Sequence, residues 1–287
     1  QAARGQHMPS SSSVLPLFIA TAVVVTSRNE HHSEASSSHG NIHEADVNRR
    51  MHVVGVTTTI LEVNDAVRAL VIGGKLARLV VVGDVKTNNS EWRSFAREHA
   101  KVEYLSFGDQ LDLPYSMVKL VPSSHFGRKS IGFLHAIAQG ATHIYDFDDD
   151  NHLHLPTFDA LSDLPMYDVD TTHHLYNPYP FFQPESQGAP VFVWPRGQPL
   201  QFIRDRETYS VPHRKSTLNP SRIAVVQSLA DHDPDVDAVY RMTGPLPIGF
   251  SRPDLALVVP PRGTFAPWNA QATLLSSAAF WALLLPI

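Results

Sequence analysis

Between His52 and Asn151, four short apolar runs alternate with three helix-periodic segments, and this alternation constrains the fold more than any other feature of the chain. His52-Val53-Val54-Gly55-Val56-Thr57 is β-branched and free of charge, as suits a buried parallel strand. Val63, Ala66, Val67, Leu70 and Val71 follow at i, i+3, i+4, i+7, i+8, which places one apolar stripe on a helix stopped by Gly73-Gly74. A second strand is expected over Leu79 to Asp84, a helix from Glu91 to His99 capped by Ser90, and a third strand over Val102 to Leu105. Ile131, Leu134, Ile137 and Ala138 mark a third helix ending at Gly140. The run Thr142 to Phe147 is a fourth strand that leads straight into Asp148-Asp149-Asp150-Asn151. Such alternation predicts an α/β fold with a doubly wound, mostly parallel sheet and helices on both faces. Ligands of these sheets bind beyond the carboxyl ends of the strands. Thr57-Thr58-Thr59, Asp84 with Lys86, and the Asp triplet should therefore share one edge, and the site is expected there.

The flanks read differently. Residues 1–50 carry Ser clusters at Ser10 to Ser13 and Ser36 to Ser38, the composition of an unstructured stem. The apolar run Val14 to Val25, broken by Pro16, falls short of the ~20 residues a membrane-spanning helix needs. Reading Met8 as a start and this run as the remnant of a signal or anchor is the alternative, although the usual positive n-region is missing. Beyond Asn151, Pro and aromatic residues dominate, as in Tyr176-Asn177-Pro178-Tyr179-Pro180-Phe181-Phe182 and Val193-Trp194-Pro195-Arg196-Gly197. Short strands, long loops and a helix near Pro234 to Arg241 are expected in this irregular half, continuous with the sheet.

Charge and composition exclude some chemistry. Asp+Glu number 28 against 23 Lys+Arg, so the chain lacks the basic excess that a nucleic-acid partner requires. With no Cys, disulfides and thiolate metal sites are excluded. The 16 His are scattered, with no HExxH spacing.

Three carboxylates directly after an apolar strand repel one another unless a cation sits among them. A hard divalent ion, Mn²⁺ or Mg²⁺, is the simplest solution. It would also bridge the phosphates of a nucleotide sugar and neutralise the departing diphosphate. Alternate residues of an extended chain point the same way, which selects Asp148 and Asp150 as ligands, with Asp146 and Asp148 as the second-choice pair. A solvated acidic turn is the competing reading. Arg128-Lys129 opens the third helix, where backbone N–H groups already favour an anion, so both are placed against the diphosphate. Thr57 and Asp84 are placed against the nucleoside. Further on, Asp233-Pro234 reads as a helix cap, and Asp235 or Asp237 is a candidate general base for an acceptor hydroxyl.

The same stretches carry a resemblance. His125-Phe126-Gly127-Arg128-Lys129-Ser130-Ile131-Gly132-Phe133-Leu134-His135-Ala136-Ile137, Gly140-Ala141 and Ile144 to Asp150 resemble the STELLO-type glycosyltransferase-like proteins. So do Val191 to Pro199, Pro234 to Val239 and Phe280 to Pro286, in order along the chain from about His52, which leaves the first 50 residues uncovered. The resemblance implies a glycosyltransferase A-like fold, a nucleoside diphosphate sugar donor, and a glycan or other hydroxyl acceptor. It implies one domain over 51–287, with a nucleotide-sugar-binding half at 51–151 and an acceptor-side half at 152–287. The family pattern continues past Ile287, so the second half is expected to be truncated. Membership of the secretory pathway is implied too, with Golgi membrane anchorage through an N-terminal segment. Plant relatives associate with cellulose synthase, so a polysaccharide synthase is an implied partner, and a non-catalytic scaffold for one is the alternative function. A divalent-metal phosphohydrolase would want further acid or His ligands at the strand ends, and none stand there.

Overall fold

The computed structural model describes residues 22–24, 51–153, 157–205, 211–220, 223–251 and 255–283. The alternating half forms as its periodicity predicts. β2 (Val53–Thr59), α1 (Asp65–Ile72), β3 (Arg78–Gly83), α2 (Asn89–Glu98), β4 (Val102–Leu105), α3 (Phe107–Leu111), α4 (Lys129–Ala138) and β5 (His143–Phe147) follow in order. The four strands are parallel neighbours in the order β4-β3-β2-β5.

Their near-continuous hydrophobicity follows from cover on both faces. Val53, Leu79, Val81, Tyr145 and Phe147 pack with Val67 and Leu70 of α1 and Trp92 and Phe95 of α2. Val54, Val56, Val80, Val82 and Ile144 pack with Phe133 and Ala136 of α4. Each large apolar side chain so buried contributes roughly 1.5–3 kcal/mol. The stripe predicted for α1 is the one observed, with Ala66, Val67 and Leu70 buried and Asn64 accepting from Val67 N–H as the cap. α2 begins earlier than expected: Asn88 precedes its first residue, and Ser90 lies inside the helix with its hydroxyl donating to Asn88 Oδ1. α4 lies unusually close to the sheet. A Cβ on Gly132 would come within 2.7 Å of both Val56 Cγ1 and Val82 Cγ2, so only glycine allows this approach.

The irregular half extends the same sheet. β6 (Met166–Val169), β9 (His213–Lys215), β10 (Val225–Gln227), β12 (Leu257–Val259) and β13 (Ala272–Ser276) join it. β1 (Ala22–Val24) does so as well, giving β4-β3-β2-β5-β13-β10-β1-β12-β6-β9. β13 runs antiparallel between β5 and β10. β7 (Pro184–Ser186), β8 (Ala189–Pro190) and β11 (Gly249–Phe250) make a separate small sheet. The result is α/β with a mixed, mostly parallel central sheet flanked by helices, which agrees with the glycosyltransferase A-like fold. A third core, including Tyr176, Tyr179, Phe182, Val193, Val236 and Ile248, holds the aromatic loops.

One expectation changes in this half. The helix expected from Pro234 begins at Ala238 as α5 (Ala238–Thr243), because Val236 is held in an extended bridge with Pro195. The apolar end is a 3-10 segment, Ser277–Ala282, with Ala279 and Leu283 buried and Trp281 80% exposed. Apart from β1, the stem expected over residues 1–50 lies outside the described residues, as do 284–287. No helix among the described residues is long and apolar enough to cross a membrane.

Candidate active site

The chain leaves β2 towards β3 on one side and leaves β5 towards the irregular half on the other, so a crevice opens at their carboxyl ends. A cleft of about 480 Å³ lies at the end of β5, within the ordinary range of ligand sites. Asp148, Asp233, Asp235, Arg196 and Arg241 line it.

At the acid turn the side chains alternate. Asp148 and Asp150 are exposed, while Asp149 between them is buried. Asp149 accepts a short hydrogen bond from the Thr59 hydroxyl, and its backbone carbonyl accepts from Asn64 Nδ2 at 2.9 Å. Asp149 thus ties the turn to the β2–α1 loop and leaves its two neighbours to face outward. The Asp148 N–H and Asn151 Nδ2 both donate to the Gln271 carbonyl, fixing the turn against the 269–271 loop.

Lys129 supplies the positive charge within the cluster. Its buried ammonium lies 2.8 Å from Asp146 Oδ1 and 3.3 Å from Asp148 Oδ1, and it donates to the carbonyls of Phe147 and Ala270. Burial alone would lower the Lys129 pKa, but the Asp146 and Asp148 carboxylates outweigh it and hold it above the usual lysine range. Burial pushes the Asp146 carboxyl up to about 7, with Lys129 opposing. Asp148 is raised as well, first by its partial burial against the opposing Lys129, then by the nearby Asp150 and Asp235 carboxylates.

The basic pair at the start of α4 therefore does other work than the helix-terminus argument suggested. Lys129 is spent on the acid cluster. Arg128 is 1% exposed. Its Nε and Nη2 donate to Gln110 Oε1, its Nη1 donates to the Val121 carbonyl, and its guanidinium sits 4.4 Å over the Phe107 ring. Gln110 in turn donates to the carbonyls of Gly83 and Leu105, so Arg128 braces the ends of β3 and β4. The close approach of α4 at Gly132 buries both cations, and neither presents a donor to a diphosphate.

Thr57 and Asp84 are likewise internal. Thr57 is fully buried in β2. Asp84 Oδ1 accepts from Val85 N–H at 2.7 Å and Ser124 N–H at 2.9 Å, which braces two loops and leaves Asp84 only 4% exposed. A nucleoside base would meet neither side chain.

The two base candidates separate cleanly. Asp237 is the N-cap of α5, its Oδ1 accepting from Val239 N–H at 2.7 Å. Its capping role accounts for it, and Asp237→Ala is expected to cost about 0.5–2 kcal/mol of stability in thermal unfolding while leaving any turnover unchanged. Asp235 faces the cleft instead. Its Oδ1 lies 2.9 Å from Arg196 Nε, and its Oδ2 accepts from Asn269 Nδ2 at 2.7 Å. Each carboxylate oxygen has two lone pairs, so both retain room for another donor. Arg241 forms a bidentate pair with Asp233, both partly exposed; such surface pairs are worth only ~0–1 kcal/mol and exchange readily.

No family model matches the chain. Two curated relatives from Arabidopsis thaliana do, named probable glycosyltransferase STELLO2 and probable glycosyltransferase STELLO1. Each is 30% identical over 206 residues, which cover 64% of this chain and 25% of the relative. Over those residues the chain is similar to the STELLO proteins. It spans about a quarter of the length of those relatives.

The STELLO-like segments also explain what the sequence reading passed over. Arg196 stands in the quoted Val191 to Pro199 stretch, and Asp235 in Pro234 to Val239. The Pro195–Val236 bridge and the Arg196 N–H to Asp235 carbonyl bond bring the two segments side by side. Arg196 therefore had a signal in the sequence and was given no role. Asn269 and Arg241 had none: one sits in a Pro-rich loop, the other on an exposed helix face.

Among the described residues, no three His, Cys, Asp or Glu side chains converge as an all-protein metal site. Mg²⁺-type sites often use only one or two carboxylates, with substrate phosphates and water completing the shell. Asp148 and Asp150 fit that smaller demand. Asp146, buried against Lys129, does not, and the second-choice pair is set aside.

Proposed function

We propose that this cleft transfers a sugar from a nucleoside diphosphate sugar to an acceptor hydroxyl, with Mn²⁺ or Mg²⁺ held at Asp148 and Asp150. The observation that carries the reading is the shared cleft. Asp148, at the acid turn after β5, lines one cleft with the fixed Asp235 carboxylate and two arginines. The similarity to probable glycosyltransferases supports it.

Each group then has a task. Asp235 takes the proton of the acceptor hydroxyl as its oxygen bonds to the anomeric carbon. The bond from that carbon to the diphosphate breaks, and the diphosphate leaves with the electron pair. Three carboxylates against two guanidiniums leave the cleft lining one negative charge in excess, which opposes a diphosphate. A divalent cation, when bound, offsets that excess and neutralises charge on the leaving group. Arg196 and Arg241 supply the phosphate donors that Arg128 and Lys129 cannot, since their planar forks suit phosphate oxygens.

Replacing Arg196 and Arg241 together by Ala should weaken a nucleoside diphosphate by about tenfold or more, since charge-assisted hydrogen bonds contribute about 1.5–3 kcal/mol each. The bare nucleoside should bind as before. Calorimetry on both ligands tests this, and equal weakening of the two would move the arginines out of the phosphate site. The proposal includes the secretory-pathway, Golgi placement and the glycan or polysaccharide-synthase partners implied by the STELLO resemblance. Imaging of tagged protein and capture with a synthase test these parts.

A further inference from the structure

Asp235 is held by two partners of different character. Arg196 reaches it from solvent, its side chain 64% exposed. Asn269 reaches it from the sheet, and the orientation of its amide is fixed. Asn269 Oδ1 accepts from the Gln271 backbone N–H at 3.0 Å. A backbone N–H can only donate, so the oxygen must face it and Nδ2 must face Asp235.

A second amide locks the first. Gln227 Oε1 accepts from the Asn269 backbone N–H at 2.8 Å, and the single proton of the Thr273 hydroxyl is shared between Gln227 Oε1, at 2.7 Å, and the Asn269 carbonyl. Its Nε2 must therefore point the other way, where it donates to Asn269 Oδ1 at 3.2 Å. Gln227 on β10 and Thr273 on β13 are directly paired across the sheet, and both are buried. A polar network anchored on two buried side chains favours a single geometry. Asn269 is thereby held by the central sheet as a permanent donor to Asp235.

We infer that Asn269, locked by Gln227 and Thr273, is the positioning residue for Asp235, keeping that carboxylate aimed at the acceptor when Arg196 turns to the donor phosphate. This inference rests on the reading of Asp235 as general base. It explains how one arginine can serve both the carboxylate and the diphosphate: the exposed partner exchanges, and the half-buried amide, held by the network, stays.

The test compares Asn269→Ala and Asn269→Asp with the parent chain. The second variant keeps the shape and the acceptor for Gln271 N–H but turns the donor into a repelling carboxylate. Both should lose about 10–100-fold in turnover, the size of effect expected when a reacting group is misplaced by about 1 Å. Nucleoside diphosphate affinity and melting temperature should stay close to the parent's. That split between turnover and binding is what a merely structural residue would not give. Unchanged turnover, or turnover, affinity and stability falling together in both variants, overturns the inference. If the parent transfers no sugar from any donor offered, the general-base reading fails by itself. The network is then decided by a crystal structure of Asn269→Ala, in which a displaced Asp235 side chain upholds the positioning and an unmoved one refutes it.

Discussion

Replacing Lys129 by alanine is expected to destabilise the fold by about 3–5 kcal/mol, because it strips a buried carboxylate of its charge partner. Asp146 is 1% exposed and lies 2.8 Å from the ammonium, and water cannot take the place of the lost cation. The backbone carbonyls of Phe147 and Ala270 lose a donor as well. Pairing Lys129→Met with Asp146→Asn should recover much of the loss, since a neutral pair no longer carries an unbalanced charge into the core. Urea unfolding of the parent and the two variants measures this directly. A Lys129→Ala protein as stable as the parent, but impaired in diphosphate binding, would return Lys129 to the phosphate role that its place at the start of α4 first suggested.

Asp235→Asn is expected to reduce sugar transfer by about 10²–10⁴-fold, the usual contribution of a positioned general base. The amide is nearly isosteric and can still meet Asn269, so donor binding and unfolding temperature should change little. A loss confined to turnover would separate the base from the residues that merely hold nucleotide. Turnover close to the parent's would remove Asp235 from the chemistry, whereas a parent chain that transfers no sugar would favour the scaffold alternative.

What was legible in the sequence divides along a physical line. The parallel half could be read because helices cover both faces of β2, β3 and β5, so Val53 and Val54, or Val80 and Val81, are each apolar for a local reason. The acid turn could be read because exposure alternates along it, leaving Asp148 and Asp150 outward. The basic pair could not. A charge at a helix start is assumed to meet solvent, and nothing local says that Gly132 lets α4 settle onto the sheet and bury Arg128 and Lys129. The same holds for the second acidic stretch. Capping chemistry was recognised, but it falls at Asp237, because an extended pairing with Pro195 delays the helix. β10 and β13, at three and five residues, are too short for any period to stand out, and their pairing is set by neighbours far along the chain. Asn269, which those two strands hold in place, was invisible for the same reason.

The most direct measurement is calorimetric titration of a panel of nucleoside diphosphates into the parent chain and into Asp148→Ala/Asp150→Ala, with and without Mn²⁺. The account predicts that one nucleotide binds the parent chain tightly only when Mn²⁺ is present, and that the double variant loses this metal-dependent binding while remaining folded. Binding of equal strength in the double variant, or no nucleoside diphosphate bound by the parent chain under any condition, would contradict it.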